Sequence, residues 1–173
     1  MIRTSETHAF FFREWPSNFC KTKFKYSAFG ETHEFFCTEQ AFMWAKAKFF
    51  GDVGTAEKIL KVTDDPMACK LCGREVSPYN DDAWAKVRYQ YMHDVNLERF
   101  KQDLVLKAKL LDPMYDGLIF VEASPYDKIW GVKLRQDDPK ILDPKNWKGQ
   151  NLLGKAITQV RAEILQEESK AHG

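Results

Sequence analysis

The sequence predicts an α+β fold, mostly helical with a small antiparallel sheet, in a single domain spanning 1–173. Three observations predict it. Residues 38–50 carry no Gly or Pro and stop at Gly51, which reads as one uninterrupted helix. Helical spacing then returns over 55–111, broken by cap signals such as Asp65-Pro66. The remaining apolar runs, at 10–12, 23–26, 34–37 and 117–123, are short and bounded by turn residues, as strands are. At 173 residues the chain can bury one substantial core and is short for two.

In order, 10–12 reads as a buried strand. It enters Arg13-Glu14-Trp15-Pro16-Ser17-Asn18-Phe19, where Pro16, Ser17 and Asn18 mark a turn that offers Arg13, Trp15 and Asn18 to a ligand. Residues 23–26 alternate polar with aromatic, a Gly turn follows, and 34–37 completes a hairpin leading into the 38–50 helix, with Thr38 as the expected N-cap. A short helix is expected over 55–62, and another opens at Asp65-Pro66 and stops at Gly73, just before Arg74. Asn80 or Asp81 starts a longer helix with a Trp84, Val87, Tyr91 and Val95 stripe and Arg88 beside it; 97–111 continues or follows it. Leu-Ile-Phe-Val after Gly117 is the strongest strand, emptying into the loop from Ser124 to Gly131. Residues 135–148 read as an ordered surface loop. Asn151 caps a last helix with Leu152, Leu153, Ala156, Ile157, Val160 and Ile164 as its apolar stripe, and 166–173 reads as a polar tail that frays.

The 38–50 helix carries the first chemical signal. At about 100° per residue, Glu39 and Lys46 fall within about 20° of each other, beside Phe42, Met43 and Phe50. A buried ion is costly unless it is paired or its pKa moves. Two readings follow: Glu39 caps the helix and Lys46 snorkels to water, or both face one bound ligand.

Composition narrows the field. A net charge of +1 advertises neither nucleic acid nor a membrane surface. No apolar run approaches the roughly 18 residues of a membrane span, and no charged-then-apolar leader is present, so a cytoplasmic protein is expected. Aromatics reach 14% with five tryptophans, which suits a pocket stacking a flat heterocycle as well as an aromatic core. Of Cys20, Cys37, Cys69 and Cys72, only the last two have motif spacing, Cys-x-x-Cys without a second ligand pair, and they read as two small, half-buried thiols. No metal, cofactor or protein partner is called for.

Residues that packing leaves unexplained fall on four elements: Glu39 with Lys46, Arg74, Trp84 with Arg88, and Asp127 with Trp130. No nucleophile elbow, Walker loop, dinucleotide fingerprint or His-Glu-x-x-His accompanies them. Two carboxylates, a lysine and stacking aromatics suit cleavage of a glycosidic bond, with acid support for the leaving group and an amine able to attack the anomeric carbon.

At these residues the chain resembles the NADAR family, named for a link to NAD and ADP-ribose. The resemblance runs through Ser17-Asn18-Phe19, Thr38-Glu39-Gln40-Ala41-Phe42 with Lys46, Gly73-Arg74, and Trp84 with Met92. It continues through Glu122-Ala123-Ser124-Pro125-Tyr126-Asp127-Lys128-Ile129-Trp130-Gly131 and closes with Trp147-Lys148-Gly149-Gln150-Asn151-Leu152-Leu153-Gly154 before Arg161. It implies a mostly helical α+β fold with a small sheet and an N-glycosidase activity that frees a ribose from a nitrogen heterocycle. The favoured substrate is ADP-ribosylated guanine in DNA or RNA; the alternative is a phosphoribosylamino-pyrimidine of riboflavin synthesis. By position, Glu39, Lys46, Trp84 and Asp127 match family residues tied to activity. On this reading Glu39 and Asp127 handle protons, Lys46 is the candidate Schiff-base nucleophile at ribose C1, and Trp84 and Trp130 stack the base or ribose. Arg74 or Arg13 holds phosphate, and Asn18, Phe19, Arg88, Gly131 and Asn151 complete the substrate-binding set.

Two departures stand out. The family's usual His after the Glu is Gln40, and its Trp-Gly-x-Gly becomes Trp130-Gly131-Val132-Lys133, where Lys133 meets an extra phosphate or is simply solvated. A non-catalytic ADP-ribose or nucleotide-binding module is the rival of another class, and a helical nucleic-acid binder is the weakest reading.

Overall fold

The computed structural model describes residues 1–172. The chain runs β1 (Arg3–Thr4), β2 (His8–Phe11), β3 (Phe24–Ala28), β4 (Glu31–Phe35), α1 (Thr38–Phe49), α2 (Val53–Leu60), α3 (Pro66–Arg74), α4 (Asp81–Gln102), α5 (Leu104–Leu110), β5 (Ile119–Glu122) and α6 (Leu152–His172), with short 3-10 turns at Pro113–Tyr115, Pro139–Leu142 and Pro144–Asn146. Mostly helical α+β architecture is thus what the chain adopts.

Side-chain caps set most helix starts. The carboxylate of Asp65 accepts from the amides of Met67 and Ala68, with Pro66 at the first helical position, and Asn80 accepts from Ala83 at 2.9 Å. Two helix starts differ from the sequence expectation. At α1 the cap is Cys37, whose Sγ accepts from the Gln40 amide at 3.4 Å, and Thr38 is already helical. The helix expected over 55–62 begins at Val53 because Asp52 accepts from the amide and hydroxyl of Thr55. At the C-terminus α6 continues through the stretch expected to fray, as far as His172; Gly173, the last residue of that stretch, lies outside the described residues.

The chain groups into two compact units, one of Met1–Ser17 with the residues from Val105 onward, the other Asn18–Leu104. The first holds a three-stranded sheet in the order β1-β2-β5. β1 pairs antiparallel with β2, whereas β2 and β5 run parallel, with Phe11 opposite Glu122. The expected antiparallel sheet is therefore mixed here, because β5 joins β2 from far along the chain and not through a hairpin. Phe10, Val121, Ala123, Val132, Leu134 and Ile141 form its core. α6 packs on β5, and the close approach requires Gly154, where a Cβ would stand 2.1 Å from the Phe120 carbonyl oxygen. The buried Arg161 on α6 donates to the carbonyls of Leu110 and Asp112 and to the carboxylate of Asp116.

The second unit contains the expected hairpin, β3 antiparallel to β4 with Phe24 opposite Phe35. α1 is its centre, packed against α2, α3 and α4. Nine of its twelve residues are buried, so its sides serve several neighbours at once. Trp44 is fully buried among Tyr26, His33 and Phe35, with ring centroids at 6.0, 5.2 and 5.6 Å. Among the described residues no helix is long and apolar enough to cross a membrane.

Candidate active site

In the second unit the site is built on α1. The amide of Glu39 donates to the Asn18 carbonyl at 3.0 Å, tying the first turn of the helix to the start of the unit, and the Glu39 side chain is buried. Gln40 is a three-way clamp: its Nε2 donates to the carbonyls of Ile59 and Val62, both at 3.0 Å, and its Oε1 accepts from the Phe36 amide at 3.0 Å. A neutral amide supplies both donors and acceptor for these backbone groups, which gives the Gln at this position a structural task. Cys37, Cys69 and Cys72 are buried free thiols; a hydrogen bond to Cys37, with burial, pushes the Cys69 thiol far above its usual range.

Two turns along α1, the Lys46 ammonium donates to the Gly73 carbonyl at 2.8 Å and lies 4.8 Å from the centroid of the Tyr79 ring. It does not snorkel freely; it is pinned. Burial pulls its pKa below the ordinary lysine value, Glu39 opposes that shift, Arg74 adds to it, and Asp81 opposes it. Glu39 and Arg74 are thus within electrostatic reach of one amine. A Cβ at Gly73 would stand 1.9 Å from Met43 Sδ, so a side chain there requires Met43 to move. The Tyr79 hydroxyl donates to Asp81 at 2.7 Å, which orients the ring over Lys46.

Trp84 is 5% exposed and enclosed by aromatic rings: Phe42 at 5.4 Å, Phe49 at 5.9 Å, Phe50 at 6.0 Å, and Tyr91 stacked at 5.8 Å. Phe50 in turn contacts Tyr79 at 5.1 Å, so the cluster supports the ring above Lys46. Arg74 is exposed, while Arg88 is half-buried with its Nε unpartnered. The buried Asn18 donates from Nδ2 to Met92 Sδ at 3.3 Å, and its Oδ1 has no partner. Phe19 is half-buried with the Lys70 ammonium 5.9 Å from its ring.

The first unit holds the other residues singled out in the sequence. Asp127 Oδ1 accepts from the amides of Ile129 and Trp130, both at 2.8 Å, folding its loop back on itself. Trp130 is half-buried in that loop. Gly131 is buried where a Cβ would be 2.9 Å from the Glu122 carbonyl oxygen, and its own carbonyl accepts from the Asn151 amide at 3.1 Å. Asn151, at φ +55°, brackets β5: Oδ1 accepts from the Glu122 amide at 2.9 Å and Nδ2 donates to the Phe120 carbonyl at 3.0 Å. Arg13 is exposed, its guanidinium 5.0 Å from the Phe12 ring centroid. Lys133 is exposed at φ +58°, a conformation that suits the glycine expected there.

Sequence reasoning did not single out Tyr79 or the carbonyl of Gly73, because neither carries a signal at helical spacing; Ser77-Pro78 beside Tyr79 marks only a turn. It also did not single out a pocket of about 280 Å³ in the first unit, where Phe12 and Tyr126 meet Arg135 and Asp137.

Comparison with known proteins places these features in context. A model of the NADAR domain matches residues 2–165. The chain is 41% identical over 133 residues to Protein irg-1 of Caenorhabditis elegans, which is 76% of this chain and 61% of that protein, so it spans less than two thirds of that relative. It is 34% identical over 158 residues to N-glycosidase R617 of Acanthamoeba polyphaga mimivirus, covering 90% of this chain and 88% of that one. Among solved structures, the NMR structure of the E. coli protein YbiA superposes with a TM-score of 0.71 at 25% identity, covering 96% of this chain and 89% of that chain.

Proposed function

The chain belongs to the NADAR family, and from that premise we propose that it is an N-glycosidase, a hydrolase of the bond between a ribose and a nitrogen heterocycle. The observation that carries the reading is Lys46, a half-buried amine with a lowered pKa, fixed on one helix within electrostatic reach of Glu39. The name of the mimiviral relative, an N-glycosidase, supports the same reading.

The chemistry follows from those two groups. A neutral Lys46 amine attacks ribose C1; the C1–N bond breaks and its electron pair leaves with the base, which takes a proton from Glu39. The attacking nitrogen, now a secondary ammonium, gives a proton to the Glu39 carboxylate; its freed lone pair opens the sugar ring to a Schiff base, and the ring oxygen takes that proton from Glu39 to become a hydroxyl. Water adds to C1, the lysine leaves, and the sugar recloses with the proton returned to the site. A pKa depressed by burial serves the first step, because only the unprotonated amine is a nucleophile. Asp127 enters through the family resemblance; with Oδ1 engaged by two amides, Oδ2 is the atom for proton chemistry. Trp84, almost fully enclosed, acts through the aromatic cluster, and Arg74 and Arg13 are the exposed cations offered to phosphate.

The favoured substrate is ADP-ribosylated guanine in nucleic acid. Purified protein is incubated with an oligonucleotide carrying that base, and the unmodified strand is followed by mass spectrometry. Restoration that disappears in Glu39→Gln supports the reading. Inactivity there with turnover of phosphoribosylamino-pyrimidines moves the substrate, and inactivity of folded protein on both overturns the enzyme.

A further inference from the structure

The parallel strands β2 and β5 end at one edge of their sheet, with Phe11 opposite Glu122. The residues that follow each strand, Phe12 and Ala123, line the pocket of about 280 Å³ noted above. Crevices at the carboxyl ends of parallel strands are favoured ligand sites, because the chain diverges there and leaves side chains pointing into the gap. This one has a composition. Tyr126 is 78% exposed although its backbone is held by Ser124 Oγ, and its ring sits 6.4 Å from Phe12 at a tilt of 49°. Arg135 and Asp137 also line it, 3.5 Å apart and both well exposed. Gln136 between them is occupied, donating to the carbonyls of Met1 and Phe10.

The geometry points to this pocket as a binding site for a ribonucleoside 5′-phosphate: the base stacks on Tyr126, the phosphate pairs with Arg135, and the ribose hydroxyls donate to Asp137. Each part has a physical reason. An exposed aromatic face next to a second ring accepts any flat heterocycle. Arg presents a planar donor fork to phosphate, and a carboxylate reads a vicinal diol, as in dinucleotide folds. The volume lies near the small end of ligand pockets, roughly 300–1,000 Å³, which suits one nucleoside. Asp137 also selects against DNA, whose deoxyribose lacks the second hydroxyl. The inference rests on the proposed ribosyl substrate and deepens it: an ADP-ribosyl group contains a ribonucleoside 5′-phosphate, the chemistry this pocket fits, and a phosphoribosyl substrate carries no second nucleoside.

AMP alone is the probe, titrated calorimetrically into the full chain. Tyr126→Ala should weaken binding about ten- to a hundredfold, the range set by base–aromatic stacking, while Tyr126→Phe keeps it. Arg135→Gln should weaken AMP and leave adenosine unchanged, and Asp137→Asn should erase the preference for AMP over 2′-deoxy-AMP. No AMP binding, equal binding by Tyr126→Ala and wild type, or an unmodified oligodeoxynucleotide competing as well as AMP would each overturn the site. Failure of the two proposals is distinguishable. Tyr126-dependent AMP binding by a protein that cleaves no ribosyl bond leaves the site standing without the enzyme; cleavage with AMP binding indifferent to Tyr126 leaves the enzyme without the site.

Discussion

The Lys46 ammonium rests on the carbonyl oxygen of Gly73 at 2.8 Å, and the Met43 side chain packs where a Cβ on Gly73 would stand. The carbonyl that positions the amine thus belongs to a residue packed directly against the Met43 side chain. Gly73→Ala is expected to destabilise the protein by about 1–3 kcal/mol through overpacking and to lower turnover as Lys46 loses its anchor. Met43→Ala added to it opens the space. Recovery of both stability and rate in the double variant, measured by denaturant titration and initial rates, checks the relationship.

Lys46 distinguishes nucleophile from fixed charge. Lys46→Arg keeps a cation and loses the amine, so a covalent route predicts that Arg and Ala replacements are both inactive and that borohydride traps sugar on wild type alone. Full activity in Lys46→Arg would assign the residue an electrostatic task.

The direction of the Lys46 shift sets a pH dependence. Its folded pKa lies below the unfolded value near 10.5. Between the two, the unfolded chain binds the extra proton, so stability rises with pH across that window. The same titration makes the rate of a lysine-dependent step rise through the lowered folded pKa. Subtracting the profile of Lys46→Met from wild type, in unfolding and in rate, isolates both trends.

Glu39→Gln keeps shape and hydrogen bonding and removes the transferable proton. Loss of proton transfer costs about 10²–10⁴-fold in kcat. The substitution also removes a charge that raises the Lys46 pKa, so the lysine-dependent limb of the rate profile should move to lower pH in whatever activity remains.

Asn151→Ala leaves the Glu122 amide and the Phe120 carbonyl without their side-chain partner. At about 1–3 kcal/mol per unsatisfied buried group, a loss of about 2–4 kcal/mol is expected. Hydrogen exchange should report it first at the Glu122 amide.

Much of the candidate site was legible because it is local. The facing of Glu39 and Lys46 follows from helical period alone, as do the caps at Asp65 and Asn80, which depend on side chains two or three residues from the amides they serve. The loop from Asp127 to Gly131 was also visible as a turn. What those residues touch was not. Gln40 looked like a substituted histidine and proves to be a clamp on two carbonyls some twenty residues away; Asn151 looked like a helix cap and binds the backbone of β5. Trp84 looked like a stacking surface and is enclosed by aromatic rings.

By itself, the sequence determined the helical α+β class, the positions of nearly all elements, and the helix face that pairs a carboxylate with an amine, since all of these depend on backbone preference and periodicity over a few residues. Only the tertiary structure decided that β5 lies parallel to β2, that Lys46 is pinned between Gly73 and Tyr79, and that Tyr126, Arg135 and Asp137 share one pocket. Those contacts join residues far apart in the chain, and which of them form is settled by how the whole set of apolar faces and backbone hydrogen bonds is satisfied at once.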